Sequence, residues 1–217
     1  MSGRLAAILM SLGLGFCLVY LFQSGATSLR LPGNQQGYQP EQPIRFSHRL
    51  HAGELEIGCL YCHGGAERSR NAGLPAASLC MNCHKFVTAP LGSVRAEYAA
   101  AEKERRPARL IVSPEIQKLY DAVGFNPTQP AAWGARSPIA WNQIYNLPDY
   151  VRFDHRPHVT AGVACQSCHG PVETMERVSQ VPDLSMGWCV NCHRDATQNG
   201  VNGKPAKATL DCAACHY

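Results

Sequence analysis

The chain has 217 residues, a formal net charge of +4 and a hydrophobic fraction of 45%. Its 19 Gly and 15 Pro residues interrupt regular backbone hydrogen bonding, which argues against a fold built mainly on long helices or on a β-sheet. Eleven Cys residues in a chain of this size indicate instead a disulfide framework, a metal site or a covalently bound prosthetic group.

The first predicted element is an apolar segment that runs from Leu5 to Phe22 without a charged side chain. As a helix it would reach roughly 27 Å at about 1.5 Å per residue, which nearly covers a hydrocarbon core of about 30 Å. We therefore predict a retained single-pass membrane anchor within residues 1–28. A cleaved signal sequence is the alternative, because the small residues at 24–26 form an acceptable cleavage site.

An internal repeat follows a stretch rich in Gln, Pro and Gly over residues 29–45, which we predict to be an extended linker. Each copy reads Phe-x-His-x-x-His, Cys-x-x-Cys-His, Cys-x-x-Cys-His, and the copies occupy residues 46–84 and 153–193. A fifth Cys-x-x-Cys-His lies in the segment 194–217. In chain order, the cysteines of the first to fifth motifs are Cys59 and Cys62, Cys80 and Cys83, Cys165 and Cys168, Cys189 and Cys192, Cys212 and Cys215.

The Cys-x-x-Cys-His motif is typical of covalent attachment of haem c, in which both thiols form thioethers and the His ligates iron. A zinc ribbon also uses spaced Cys-x-x-Cys pairs, but a site of four cysteines has no use for the His that follows every pair here. A disulfide framework would need the same thiols. We predict five covalently bound haem c groups and no zinc, with the proximal iron ligands His63, His84, His169, His193 and His216.

Two inferences about location and charge follow from the predicted haems. Arg4 favours a cytoplasmic amino terminus, and haem attachment in bacteria takes place across the inner membrane, so we expect the haem domain on the periplasmic side. Each haem adds two propionates, which brings the formal charge from +4 to about −1 when oxidised and about −6 when reduced. We therefore predict no nucleic-acid partner.

Low-spin haems that carry electrons need a second axial ligand, so five of them require ten ligands. Nine His residues are present, and the four outside the Cys motifs belong to the two Phe-x-His-x-x-His phrases. We predict these four as distal ligands, with each phrase serving two different haems: His48, His51, His155 and His158. The tenth ligand is predicted to be Met175 or Met186, since a Met ligand is known for c-type haem, while a weaker ligand or an empty position stays open.

Residues 85–152 contain no haem motif and form a predicted connector. A helix is expected over 97–106, where it stops before Pro107, and a second helix after the cap Ser113 and Pro114. The aromatic stretch from Phe125 to Tyr150 is expected to pack over haem edges or to dock a partner subunit.

The chain resembles the pentahaem cytochrome subunit of bacterial alternative complex III. The likeness rests on the order of the motifs, on LPDYVRFDH at 147–155, on CHG at 168–170 and on LSMGWC at 184–189, and it extends over nearly the whole chain. The multihaem subunit of menaquinone reductase complexes shares these phrases, and both resemble elaborated class III cytochrome modules.

The resemblance implies a mostly irregular fold with short α-helices in class III-like duplicated modules, plus one N-terminal transmembrane helix. It also implies a fixed electron-transfer subunit of a respiratory or photosynthetic membrane complex that oxidises quinol, without the catalytic site itself. The implied neighbours are a large iron–sulfur and molybdopterin-like protein, polytopic quinol-binding subunits and a monohaem cytochrome.

Two other functions are compatible with many haems. A small stand-alone quinol dehydrogenase would hold its quinone site close to the anchor, whereas 36 residues separate Phe22 from Cys59. A reductase of a small oxyanion would need one haem with an open position, and the altered Lys-ligated motif usual for such enzymes is absent from this sequence.

Overall fold

The computed structural model describes residues 3–23 and 34–217, without the side chains of residues 4, 6, 7 and 21–23. The predicted linker and the end of the predicted anchor therefore lie partly outside the described residues. Helix α1 (Gly3–Gln23) covers the apolar run. Among the described residues, none of the helices combines the length and the apolar character that crossing a membrane requires.

Residues 34–217 are built from short helices joined by irregular backbone, as the composition predicts. Isolated antiparallel bridges, such as that between Val151 and His216, are the only β-pairing in this described range. The helical elements are a π-helix (Arg49–Glu54), α2 (Cys59–Cys62), a first 3₁₀ turn (Gly64–Glu67), α3 (Ala77–His84), α4 (Leu91–Lys103), α5 (Pro114–Val123), α6 (His155–Thr160), α7 (Gln166–His169), a second 3₁₀ turn (Val172–Thr174), α8 (Met186–Asn199) and α9 (Cys212–Cys215).

The first connector helix differs from its prediction at both ends. Helix α4 begins at Leu91 and ends at Lys103, rather than spanning 97–106. Its end is set by Arg105, which has a positive φ of 51°, and by Arg106, which turns back and donates to the Glu97 carboxylate at 2.5 Å. That bond, together with the Arg109 backbone N–H, holds the pKa of Glu97 at about 2.

The second connector helix, α5, begins at the predicted cap. The Ser113 hydroxyl accepts the N–H of Ile116 at 3.3 Å, and Pro114 takes the first helical position. At the other end Gly124 adopts the left-handed conformation, with φ of 68°, which suits a residue without a Cβ.

The main apolar core lies where α5 packs against α3. It consists of the buried side chains Met81, Leu119, Tyr120, Val123 and Phe125. The Tyr120 hydroxyl also donates to the backbone carbonyl of His84 at 2.5 Å. Because α3 carries the second Cys motif, this core fastens the connector to that motif.

The two copies of the repeat pack against each other reciprocally. The π-helix of the first copy contacts the second 3₁₀ turn, and α6 of the second copy contacts the first 3₁₀ turn. Backbone bonds mark both contacts: the Arg49 N–H donates to the Met175 carbonyl at 2.9 Å, and the His155 N–H donates to the Arg70 carbonyl at 3.1 Å. Such mutual contacts are typical of two like units related by an approximate two-fold axis.

One extra residue distinguishes the first copy from the second. The spacing is eight residues from His51 to Cys59 and seven from His158 to Cys165. The first copy accommodates the additional residue by widening its turn into a π-helix, whereas the second copy keeps the α-helical turn of α6. Gly53 lets this wider turn approach closely, because a Cβ there would collide with the carbonyl of Glu173.

We predict that Gly124→Ala destabilises the connector by more than about 1 kcal/mol. The added Cβ would lie 2.6 Å from the carbonyl oxygens of Gly134 and Ala135, at a positive φ that disfavours alanine. Thermal unfolding of the intact protein, followed by circular dichroism, measures the effect. The matched control is Gly92→Ala in α4, where an added Cβ meets nothing within 4 Å, and it should be neutral or stabilising; an equal loss in both variants would contradict this account.

Candidate haem-binding site

Each Cys-x-x-Cys-His motif lies on a short helix, so that both thiols project from one face and the His follows at the next position. The five helices are α2, α3, α7, α8 and α9. Side-chain caps begin two of them: the Ser185 hydroxyl accepts the Trp188 N–H of α8 at 3.2 Å, and the Asp211 carboxylate accepts the Ala213 N–H of α9 at 3.1 Å. All ten motif cysteines are free thiols, so each is available for a thioether bond.

The distal histidines predicted from sequence lie opposite the motif histidines. The ring centroids are 6.1 Å apart for His51 and His84 and 6.4 Å apart for His155 and His169. A third such pair, His158 and His193, has ring centroids 6.0 Å apart. Two metal–nitrogen bonds of about 2 Å and two ring radii of about 1.2 Å add up to roughly this separation. Each pair therefore fits a single iron bound from both sides.

The fourth pair is buried between the copies. His48 lies near His63, since burial, followed by the charges of His63 and His51, lowers the pKa of His48 to about 4. Burial, followed by the charges of His155 and His63, likewise lowers the pKa of His169 to about 4. Neutral imidazoles of this kind keep the lone pair that a metal ligand needs.

Six of these imidazoles are oriented by the backbone. In each, Nδ1 lies 2.6 to 2.9 Å from a carbonyl oxygen. A carbonyl only accepts, so Nδ1 carries the hydrogen and Nε2 is left with a free lone pair. The bonds run from His51 to Ser47, from His63 to Gly73, from His84 to Val87, from His155 to Arg70, from His158 to Asp154 and from His193 to Thr209.

These observations together fit haem c. The free thiols have the spacing for two thioether bonds, and the opposed imidazole rings would suit the iron of an electron carrier. This donor set, paired thiols beside opposed imidazoles, fits iron porphyrin. No group of His, Cys, Asp and Glu that could hold a metal ion by itself is found within the described residues.

The influence of thiols of one motif on the pKa values of thiols of another shows which motifs are neighbours in space. Burial, followed by the neighbouring Cys62, raises the pKa of Cys80, which joins the second motif to the first. Burial, followed by Cys59, raises the pKa of Cys165, and Cys59 lies within hydrogen-bonding range of it. The first and third motifs thus meet at the contact between the two copies.

Neighbouring thiols also join the motifs of the second copy to one another and to the fifth motif. Burial, followed by Cys192 and Cys189, raises the pKa of Cys168 to about 11, which joins the third motif to the fourth. Burial, followed by Cys215, raises the pKa of Cys189, which joins the fourth motif to the fifth. The spatial order is therefore second, first, third, fourth, fifth.

The fifth motif has no His opposite its own His216 within the described residues. The ring of Tyr150 lies there instead, with centroids 6.0 Å apart and an angle of 26° between the planes. The two predicted candidates for a tenth ligand lie in different places. Met186 begins α8 and is 67% exposed, whereas Met175 lies at the contact between the copies, where its carbonyl accepts from Arg49.

Aromatic residues of the connector contact the site at two points. Besides Tyr150 beside His216, the ring of Tyr145 packs edge-on against His169, with centroids 4.5 Å apart. Trp133 packs against Phe125 and stays 46% exposed. Tyr145 and Tyr150 thus pack beside motif histidines, while Trp133 lies on the connector.

Comparisons with known proteins agree with this geometry. Residues 151–217 match the family model of cytochrome c7 and related cytochrome c. The chain is 25% identical over 204 residues to the menaquinone reductase multiheme cytochrome c subunit of Nitratidesulfovibrio vulgaris (strain Hildenborough), covering 82% of this chain and 78% of that protein. Residues 151–217 thus match a cytochrome c family, and the chain as a whole is similar to a multihaem cytochrome c.

A second relative supports the same family. The high-molecular-weight cytochrome c of the same organism is 26% identical over 190 residues, which cover 74% of this chain. The match covers only 34% of that longer protein. The matched cytochrome c family implies covalently bound haem c and electron transfer, which agrees with the Cys-x-x-Cys-His motifs.

Sequence reasoning missed the backbone carbonyls that orient the imidazoles and the role of Tyr145. A carbonyl has no side-chain signature, so residues such as Gly73 and Thr209 could not be recognised as partners. The π-helix did leave a signal, because the spacing from His51 to Cys59 is one residue longer than its counterpart in the second copy.

Proposed function

We propose that this cytochrome binds five haem c groups, one at each motif, and relays electrons through them in the order second, first, third, fourth, fifth. The observation that carries the proposal is that, for each pair of successive motifs in this order, a thiol of one lies near enough to a thiol of the other to raise its pKa. Each attachment helix thus lies beside the next, which keeps the distance between successive redox centres short.

Haem c supplies one-electron redox chemistry at iron. The residues of the chain do three other things: they hold the centres at fixed spacing, orient the axial ligands and control burial. No substrate bond has to be broken for this function, so we assign the chain no catalytic residue.

The axial ligands follow from the opposed rings. We propose the pairs His51 with His84, His155 with His169, and His158 with His193, all supported by the ring separations. The remaining pair is His48 with His63, supported by the effect of His63 in lowering the pKa of His48. Each Phe-x-His-x-x-His phrase then serves two neighbouring centres, which ties them together through a single helical turn.

For the fifth centre, opposite His216, we propose Met186 rather than Met175. Met186 and Cys189 are three residues apart on α8 and share a face of that helix, and Cys189 is the thiol beside Cys215 of the fifth motif. Met175 lies between the first and third motifs, where both histidine pairs are already complete. In the first copy the position of Met186 is occupied by Ala77, which agrees with a ligand needed only beside a fifth motif.

We further propose that the chain is the electron-transfer subunit of a quinone-linked membrane complex of the alternative complex III type. The apolar run over residues 5–22 supports a single-pass anchor in the bacterial inner membrane, with the haem domain on the periplasmic side. The partners would be an iron–sulfur protein, polytopic quinol-binding subunits and a monohaem cytochrome.

A second candidate is a subunit of a menaquinone reductase complex. It is favoured by the relative of that name, because the similarity covers most of both chains. The two candidates differ in the direction of electron flow, since one oxidises quinol and the other reduces the quinone.

We expect the mass of the denatured chain to exceed that of the polypeptide by five haem groups. The matched control is the double variant Cys212→Ala and Cys215→Ala, which removes the fifth attachment site and should lower the number by one. Fewer than five haems in the unaltered chain, or zinc in place of iron, would contradict the assignment.

We expect Met186→Leu to convert one haem to the high-spin form or to lower a single midpoint potential, because a thioether ligand raises the potential relative to imidazole. Electron paramagnetic resonance and potentiometry of the intact protein measure both effects. Met175→Leu is the control and should leave every haem unchanged. The assignment is wrong if Met186→Leu has no effect while Tyr150→Phe alters the fifth haem.

The place of the chain in a complex is tested by purification from native membranes in mild detergent. We expect polytopic subunits and an iron–sulfur protein to co-purify, and the preparation to oxidise quinol. Reduction of menaquinone by the same preparation would favour the second candidate. Isolation of the chain alone with quinol activity would instead identify a stand-alone dehydrogenase, and high-spin iron with oxyanion turnover would identify a reductase.

A further inference from the structure

Within the described part of the chain, two ligand histidines beside the contact between the copies, His48 and His169, lack the bond from Nδ1 to a backbone carbonyl. In the first copy, the motif histidine His63 donates from Nδ1 to the carbonyl of Gly73 at 2.9 Å, ten residues downstream. The corresponding histidine of the second copy is His169, for which no Nδ1 bond is found among the described residues. His48 is the other exception, and its buried Nδ1 has no partner.

The carbonyl ten residues downstream of His169 belongs to Ser179, and it is bound by a different donor. The hydroxyl of Tyr145 lies 3.0 Å from the Ser179 carbonyl oxygen and 3.0 Å from the carbonyl oxygen of His169 itself. The same hydroxyl oxygen accepts the N–H of Val181 at 3.4 Å. In the first copy the motif histidine itself bonds to the corresponding carbonyl of the downstream loop. In the second copy the hydroxyl of Tyr145 makes that bond instead.

The aromatic ring of Tyr145 reinforces this placement. It lies edge-on to the His169 ring, with centroids 4.5 Å apart and planes 68° apart. Tyr145 is half-buried, and burial raises its pKa. The phenol therefore stays protonated at neutral pH and keeps its single hydrogen for the two carbonyls.

A bond from Nδ1–H to a carbonyl makes an imidazole a stronger electron donor to a metal at Nε2. Stronger donation stabilises ferric iron more than ferrous iron and so lowers the midpoint potential. We propose that Tyr145 is a positioning residue that withholds the Ser179 carbonyl from His169 and thereby raises the midpoint potential of the haem at the third motif. The inference rests on the proposed binding of haem at that motif.

The test compares Tyr145→Phe, which keeps the ring and removes the hydroxyl, with the control Tyr98→Phe. Tyr98 lies exposed on α4 of the connector, outside the haem motifs. We expect Tyr145→Phe to free the Ser179 carbonyl for His169 and to shift the redox equilibrium of one haem roughly tenfold toward the ferric form, a potential lower by about 59 mV. Tyr98→Phe should shift none.

Potentiometry followed by electron paramagnetic resonance resolves the haems, and the third is recognised as the signal that becomes high-spin in His155→Ala. The inference is overturned if Tyr145→Phe leaves that potential unchanged, raises it, or shifts all haems equally. The haem content of each protein, measured by mass, separates this result from failure of the proposed function. If the proposed function is wrong, haem is missing from the unaltered protein as well.

A measurement on the unaltered protein covers the case in which Tyr145→Phe fails to mature. Reduced low-spin haem is diamagnetic, so nuclear magnetic resonance of ring-¹⁵N histidine detects the Nδ1 protons of the axial ligands. We expect the chemical shift of the His169 Nδ1 proton to differ from those of the histidines bound to carbonyls, such as His63. A carbonyl-bound Nδ1 proton on His169 would overturn the inference.

Discussion

Hydrogen bonds from imidazole Nδ1 to backbone carbonyls are the constraint on which this site depends. Each bond selects one tautomer and one ring orientation, which leaves Nε2 directed at a metal. Carbonyls inside helices are already bound to backbone N–H groups, so acceptors with room for an imidazole come more readily from irregular segments. All six acceptors lie outside the helices, although those of Ser47 and Arg70 also accept a backbone N–H: Ser47, Arg70, Gly73, Val87, Asp154 and Thr209. The scarcity of regular structure in this chain is therefore part of how its ligands are oriented.

Duplication explains the arrangement of the motifs, and a single residue explains why the two copies are not equivalent. Reciprocal packing brings the first and third motifs together and directs the second and fourth outward. The acceptor for His155 comes from Arg70 of the other copy, so ligand orientation and module packing stabilise each other. In the first copy the extra residue converts the turn into a π-helix. There the bond to the other copy is donated by the Arg49 N–H to the Met175 carbonyl. The Nδ1 of His48 is left without a partner among the described residues.

Much of the site was predictable because its chemistry is local. The Cys and His of each motif are adjacent in sequence, and His155 and His158, three residues apart on one turn, face two different motif histidines, His169 and His193. The pairing of rings was not predictable, since it depends on the spatial order of the motifs, which begins with the second motif rather than the first. The ends of α4 also escaped prediction, because Glu97 binds Arg106 beyond the helix and propensity does not include such tertiary contacts.

The asymmetry of the chain gives its two ends different surroundings. At the second motif the connector packs on α3 through Tyr120, and Arg45 of the N-terminal segment joins the connector through a 2.7 Å bond from its backbone N–H to Glu115. At the fifth motif the segment 150–152 pairs with residues 215–217, and His216 faces an aromatic ring and no second imidazole. Two equivalent copies alone would make both ends alike, and electrons would have no preferred direction. The connector and the C-terminal segment remove that equivalence, because they change burial at one end and, in the proposed assignment, the ligand type at the other, and these are the properties by which a protein sets a haem potential.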